Sequence, residues 1–316
     1  GNFDLKSEIN DIDVLNEILK EANQKKKVEA KEEEIQPEQP VQTEQPEQQE
    51  QQEQPVHPEE PVQTKVIPTD EEKEKVKEQL NKNNGLKEEV IDALLGGSDE
   101  AERLKIIKDN ADDIAEKLTD LIDKTPALKD NAAFQSLVTS FYKTCLTQKN
   151  IINNDIVNKL LTAIEQGVIN DNIEFATGTI TDTNADCIAW YLSKNIANDK
   201  LKTNDAYKSL VTSFLIAVNK NKGLIKSEHE IRIRDIVFLL AAVVKENNGL
   251  GLNKDILQNS ITNILEAVYS KEHGIKLDED DNYLYDAISG LAQYIGNPPD
   301  LTNTQDKHNP ERVKKN

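Results

Sequence analysis

An internal duplication constrains this chain more than any other feature. Ser136-Leu137-Val138-Thr139-Ser140-Phe141 recurs as Ser209-Leu210-Val211-Thr212-Ser213-Phe214, at an offset of 73 residues. Around it Leu128, Lys129, Asn131, Ala133, Lys149 and Ile152 recur as Leu201, Lys202, Asn204, Ala206, Lys222 and Ile225, and Phe134 is matched by Tyr207. Asp155-Ile156-Val157 leading to Leu160 is echoed by Asp235-Ile236-Val237 leading to Leu240, now at an offset of 80. The added residues of the second copy fall at Ser227–Arg234, which lengthens a helix start. A unit that repeats in tandem buries its apolar face against its neighbour, so the copies are expected to stack.

The apolar spacing says what the unit is made of. Leu137, Phe141 and Leu146, then Leu210, Phe214 and Val218, then Ile261, Leu265 and Val268 lie three to five residues apart, the period of a helix face. This pattern predicts helices over 131–148, 154–166, 185–197, 204–221, 228–247, 254–271 and 280–295. Further helices are predicted from Thr69-Asp70 onward and over 87–95, 99–109 and 111–123, with Ser98 capping the 99–109 helix and Thr125-Pro126 ending the series. The acids of Asp109–Asp113 read as a helix start. Gly85, Gly167, Gly223, Gly249 and Gly274 each precede an apolar residue at the end of a periodic run, as in left-handed helix C-caps. Short connections make consecutive helices neighbours. The expected fold is all-α, with tandem three-helix repeats forming an elongated bundle or α-solenoid. Ala241-Ala242 sits within a helix apolar nearly all round, which is expected at the centre of the stack.

Composition divides the rest. Seven of the eleven prolines fall between Pro37 and Pro68, among Gln and Glu, and Pro-Val-Gln-Thr occurs there twice. Such a segment buries too little apolar surface to offset its ordering entropy, and is expected to be a disordered, extended spacer. The expected organisation is an N-terminal amphipathic helix (1–34), an acidic Pro/Gln/Glu linker (35–68), a helical subdomain (69–127), the duplicated domain (128–296) and a tail (297–316). The first helix carries Ile9, Ile12, Leu15, Leu19 and Ala22 on one stripe. It either packs on the body or self-associates as a short coiled coil. The chain has no Met and begins Gly1-Asn2, so its native start is expected to be missing and its compartment, cytoplasmic or secreted, is left open.

Charge narrows the function. A formal net charge of −20 repels nucleic acids and anionic membranes, and only Arg103, Arg232, Arg234 and Arg312 offer a guanidinium for phosphate. The longest apolar run, Ile236–Val244, is too short to cross a bilayer. Cys145 and Cys187 lie in helical patterns and read as buried thiols rather than a disulfide or a zinc site. His57, His229, His273 and His308 read as solvated surface residues. Asp278–Asn282 lacks the central Gly and terminal Glu of a calcium loop and reads as a helix cap. No phosphate loop or nucleophilic triad is present, so no enzyme, cofactor or metal is expected.

Binding residues are sought where the helical pattern breaks. Asn170–Thr183 contains the β-prone Thr177-Gly178-Thr179-Ile180-Thr181 and is expected to be a loop or small hairpin on one face of the stack. It is either part of a binding site, through Ile173, Phe175 and Ile180, or a tolerated surface insertion. Trp190 and Tyr191 face different sides of one helix, so one belongs to the core and the other is either core or an exposed anchor. Tandem helical units joined to Pro/Gln-rich spacers resemble in style the secreted antigens and effectors of obligate intracellular bacteria. That resemblance implies export and a host protein as partner. It rests on no motif and transfers no residue. The expected function is non-enzymatic protein–protein interaction. Its rivals are a structural or assembly factor self-associating through residues 3–34 and an enzyme with an unrecognised helical site.

Overall fold

The computed structural model describes residues 67–83, 85–246, 250–270 and 282–296. The expected N-terminal helix, the linker up to residue 66, the tail, the turns at Gly249 and Gly274 and the acidic run before Asn282 lie outside the described residues. Among those described, every regular element is helical. In order these are α1 (Asp70–Asn83), α2 (Glu88–Leu94), α3 (Glu100–Lys124), α4 (Ala132–Thr147), α5 (Asn154–Glu165), α6 (Ala185–Asn195), α7 (Asp199–Lys202), α8 (Asp205–Lys220), α9 (Glu230–Lys245), α10 (Lys254–Val268) and α11 (Asn282–Gly296).

Local chemistry explains where most of them begin. Thr69 and Glu72 form a reciprocal capping box at α1: the Thr69 hydroxyl accepts from the Glu72 N–H, and the Glu72 carboxylate accepts from the Thr69 N–H. Asn131, Asn153, Asn204 and Asn253 cap α4, α5, α8 and α10 with side-chain oxygens that accept backbone N–H groups of the first turn. α3 is capped by Asp99, which accepts from the Glu102 N–H, and not by Ser98 as expected. α3 is also one continuous helix where two were expected. Its buried positions Ile107, Ala111, Ile114, Leu118 and Leu121 keep a single period through the acids at 109–113, so the stripe outweighs the local start signal. Gly167 takes the expected left-handed conformation at φ +76°, whereas Gly223 lies in a 3₁₀ turn, Lys222–Ile225, and closes no helix in that way.

Some of the duplicated residues are alike in burial. Leu128, in the 3₁₀ turn Pro126–Asp130, and Leu201, in α7, are both buried just ahead of a capping Asn. Phe141 of α4 and Phe214 of α8 are both fully buried. The longer start of the second copy is a 3₁₀ turn, Ser227–His229, leading into α9.

One row of helices runs α3, α5, α6, α9, α11, each packed on the next. The others lie on it: α1 against α4 and α4 against α3, then α8 against α5, and α10 against α8, α9 and α11. α9 is flanked by α6, α10 and α11 and buries residues from Arg232 to Val244, so the helix that carries Ala241-Ala242 is enclosed. The expected boundary between residues 127 and 128 is crossed by packing. The Arg103 guanidinium donates to the Ser140 hydroxyl at 2.7 Å, and the Asn131 amide donates to the Glu72 carbonyl at 3.2 Å. A single contiguous core includes Val76 at one end and Tyr294 at the other.

Candidate functional site

α4 buries one face through Phe134, Leu137, Val138 and Phe141 and turns a different face outward. On that outward face Ser136, Ser140, Lys143 and Thr147 follow the helical spacing, so the sequence builds a strip of three hydroxyls and one ammonium along the helix. The strip floors an open groove of about 930 Å³. Ile67, Pro68, Glu100 and Leu104 contribute to its lining from the N-terminal side of the chain, and Val168, Asn170 and Asp171 from the segment after α5. Inside it the Thr144 hydroxyl donates to the Ser140 carbonyl and the Thr147 hydroxyl to the Thr144 carbonyl, which consumes two hydroxyls locally. Ser136 is exposed. The charged lining residues are Glu100, Lys143 and Asp171, and Glu100 stands 3.8 Å from the Arg103 guanidinium. This arrangement offers donors, acceptors and apolar surface to a chain laid along it.

The segment between α5 and α6 forms no hairpin. It runs extended across α8, where the Ser209 hydroxyl donates to the Ile173 carbonyl at 2.9 Å and the Ser213 hydroxyl accepts from the Phe175 N–H at 3.0 Å. The Ala176 N–H donates to the Leu146 carbonyl of α4. The segment turns at Thr177-Gly178, with Gly178 at φ +84°, and is locked by Asn184, whose amide donates to the Thr179 carbonyl and whose oxygen accepts from the Thr181 N–H. Ile173, Phe175 and Ile180 are 1%, 7% and 4% exposed. The expectation that these three meet a partner is therefore corrected: alternation along an extended strand points Ile173 and Phe175 the same way, into the core. The same burial weighs against the reading of the segment as a tolerated insertion.

Trp190 is 44% exposed on α6, and the Lys194 ammonium lies 4.6 Å from its ring centre. Tyr191 meets it edge-on, with 4.8 Å between ring centres, and is partly buried against the core. Of the five residues singled out in the sequence, Trp190 alone presents a large open face.

Beside the loop end lies a buried cation. Arg232, 1% exposed, donates to the carboxylates of Asp182 and Asp186 and to the carbonyls of Asp182 and Leu224. It fastens the loop and the start of α6 to α9. The His229 ring nitrogen stands 3.6 Å from the Asp182 carboxylate. Burial, aided by the charge of Asp186 and opposed by that of Arg234, pushes the Asp235 carboxyl up to about 6. Cys145 and Cys187 are free thiols. Burial pushes them up to about 12 and about 11, so neither is a ready nucleophile.

Neither the place of the groove over α4 nor the Arg232 cluster has a signal in the sequence. Ser136 and Ser140 lie within the duplicated hexapeptide, which marks only a repetition. Asp182 and Asp186 lie 50 and 46 residues from Arg232, with no motif to join them. Among the described residues no cluster of three or more His, Cys, Asp or Glu is placed to hold a metal ion, and no helix is long and apolar enough to cross a membrane. No protein family, curated protein or solved structure matches this chain.

Proposed function

We propose that this chain is a non-enzymatic protein-interaction module in which tandem helical units, stacked as an α-solenoid, present a grooved surface to a protein partner. The observation that carries this reading is the open groove over α4, with its hydroxyl floor and mixed apolar and charged lining. A groove that offers hydrogen bonds along its length suits a polypeptide better than a compact small molecule. With a net charge of −20, the module favours a partner bearing Lys or Arg around an apolar centre, which speeds encounter while the apolar contacts hold the complex. A host protein is the partner class that the stylistic resemblance implies.

Photo-crosslinking tests this directly. Benzoyl-phenylalanine placed at position 143, inside the groove, is expected to capture a defined protein that the same group at position 220, outside it, does not. The association rate of the captured protein with the full chain is expected to fall as salt rises. Failure to form a discrete adduct from either position, or equal yields from both, removes the support for this reading.

A further inference from the structure

The duplication supplies an internal template for what the groove binds. Ser136 and Ser140 of α4 are the counterparts of Ser209 and Ser213 of α8. In the second copy those two serines hold an extended strand by its backbone: the Ser209 hydroxyl donates to the Ile173 carbonyl, and the Ser213 hydroxyl accepts from the Phe175 N–H. In a strand the C=O of one residue and the N–H of the residue two further on point to the same side, and one turn of helix separates the two serines. The pair is therefore spaced to read a single backbone edge. Ile173 and Phe175, buried on either side of Glu174, supply the apolar contacts.

In the first copy the same pair borders open space. Ser136 is exposed, and Ser140 accepts from Arg103, which leaves a second lone pair on its oxygen. Ile67 and Leu104 give the groove apolar surface, and its charged members are Glu100 and Asp171 with Lys143.

Resting on the interaction function proposed above, we infer that the groove over α4 binds an extended peptide of a partner protein. The peptide carries two large apolar residues at positions i and i+2, flanked by Lys or Arg. Its backbone C=O accepts from the Ser136 hydroxyl and its N–H, two residues on, donates to Ser140, in the manner of Ile173–Phe175 on α8. The flanking cations meet Glu100 and Asp171. The occupied copy explains why the recognition is by backbone and shape: two serines cannot discriminate side chains, so the apolar pair sets the preference.

The test uses the full chain and a fluorescein-labelled probe, Lys-Ile-Thr-Phe-Lys, followed by fluorescence anisotropy. Saturable binding with a Kd below about 1 mM is expected. A probe with Ser in place of Ile and Phe is expected not to bind. Ser136→Ala should weaken binding about fivefold, as for one neutral hydrogen bond. Ser136→Trp should abolish binding by filling the groove at an exposed position, with the circular dichroism spectrum unchanged. Absence of binding, or binding indifferent to Ser136→Trp, overturns the assignment. So does binding that appears only in a Val62→Asp/Val66→Asp variant, since the groove then belongs to the chain's own Val62–Val66. If Ser136→Trp leaves partner capture from other positions intact while the probe never binds, the interaction function stands and this site does not.

Discussion

Arg232 shows how a rare residue is spent in this chain. Arg103 and Arg232 hydrogen-bond between segments of the fold, and Arg232 is buried and donates to two carboxylates and two carbonyls. Because Asp182 and Asp186 are more than half exposed, they resolvate when the cation is removed, and the cost falls on the carbonyls and the cavity. Arg232→Ala is expected to lower stability by about 2–3 kcal/mol in urea unfolding, and Arg232→Lys to recover little, since an ammonium lacks the planar fork. Asp235 makes a second prediction. Its carboxyl titrates near 6 when folded against an ordinary 3.8. The raised value means that its favourable contribution is present below 3.8 and lost as pH rises through 6. Asp235→Asn is therefore expected to stabilise the protein at pH 8, by on the order of 1 kcal/mol after screening by water, and to make no difference near pH 3. Denaturation midpoints at the two pH values check this.

At the scale of elements, the segment between α5 and α6 behaves as core. Phe175→Ala is expected to cost about 3 kcal/mol or more, in the range of buried aromatic truncations, and Phe141→Ala and Phe214→Ala about 3–5 kcal/mol each. Replacing residues 172–181 by a short Gly linker is expected to unfold the chain or to shift its thermal midpoint sharply downward. Retention of the native midpoint would show that the segment is ornamental after all. The helices themselves were legible in the sequence, because Leu137, Phe141 and their counterparts repeat with the period of a helix face. The extended segment was not legible as core. Ile173 and Phe175 have only two positions of alternation, too few to separate a buried strand from a polar loop, and the serines that hold their backbone lie on α8, 36 and 38 residues away in the chain. The place of the groove was illegible for the complementary reason: it is made by what fails to cover α4, and a single sequence records no vacancy. α3 is one helix where two were expected because its apolar period, longer than the local acidic signal, runs unbroken through it.

For the whole molecule, the continuity of the core from α1 to α11 has a measurable outcome. Trp190, the single tryptophan, lies on α6, so its fluorescence reports on the middle of the row, while far-ultraviolet circular dichroism reports on all the helices. The two urea transitions are expected to coincide. A dichroism loss that precedes the fluorescence change would mark residues 69–127 as an independent domain. The helix starts carry a further consequence. Asn131, Asn153, Asn198, Asn204 and Asn253 all cap with neutral amides, although acids cap equally well and this chain has 58 Asp and Glu. Protonating the carboxylates cancels the charge that keeps the chain in solution, near its isoelectric point of about 4.7, yet leaves those caps untouched. On acidification this protein should cloud while still helical, and the precipitate should redissolve as folded material when the pH is restored.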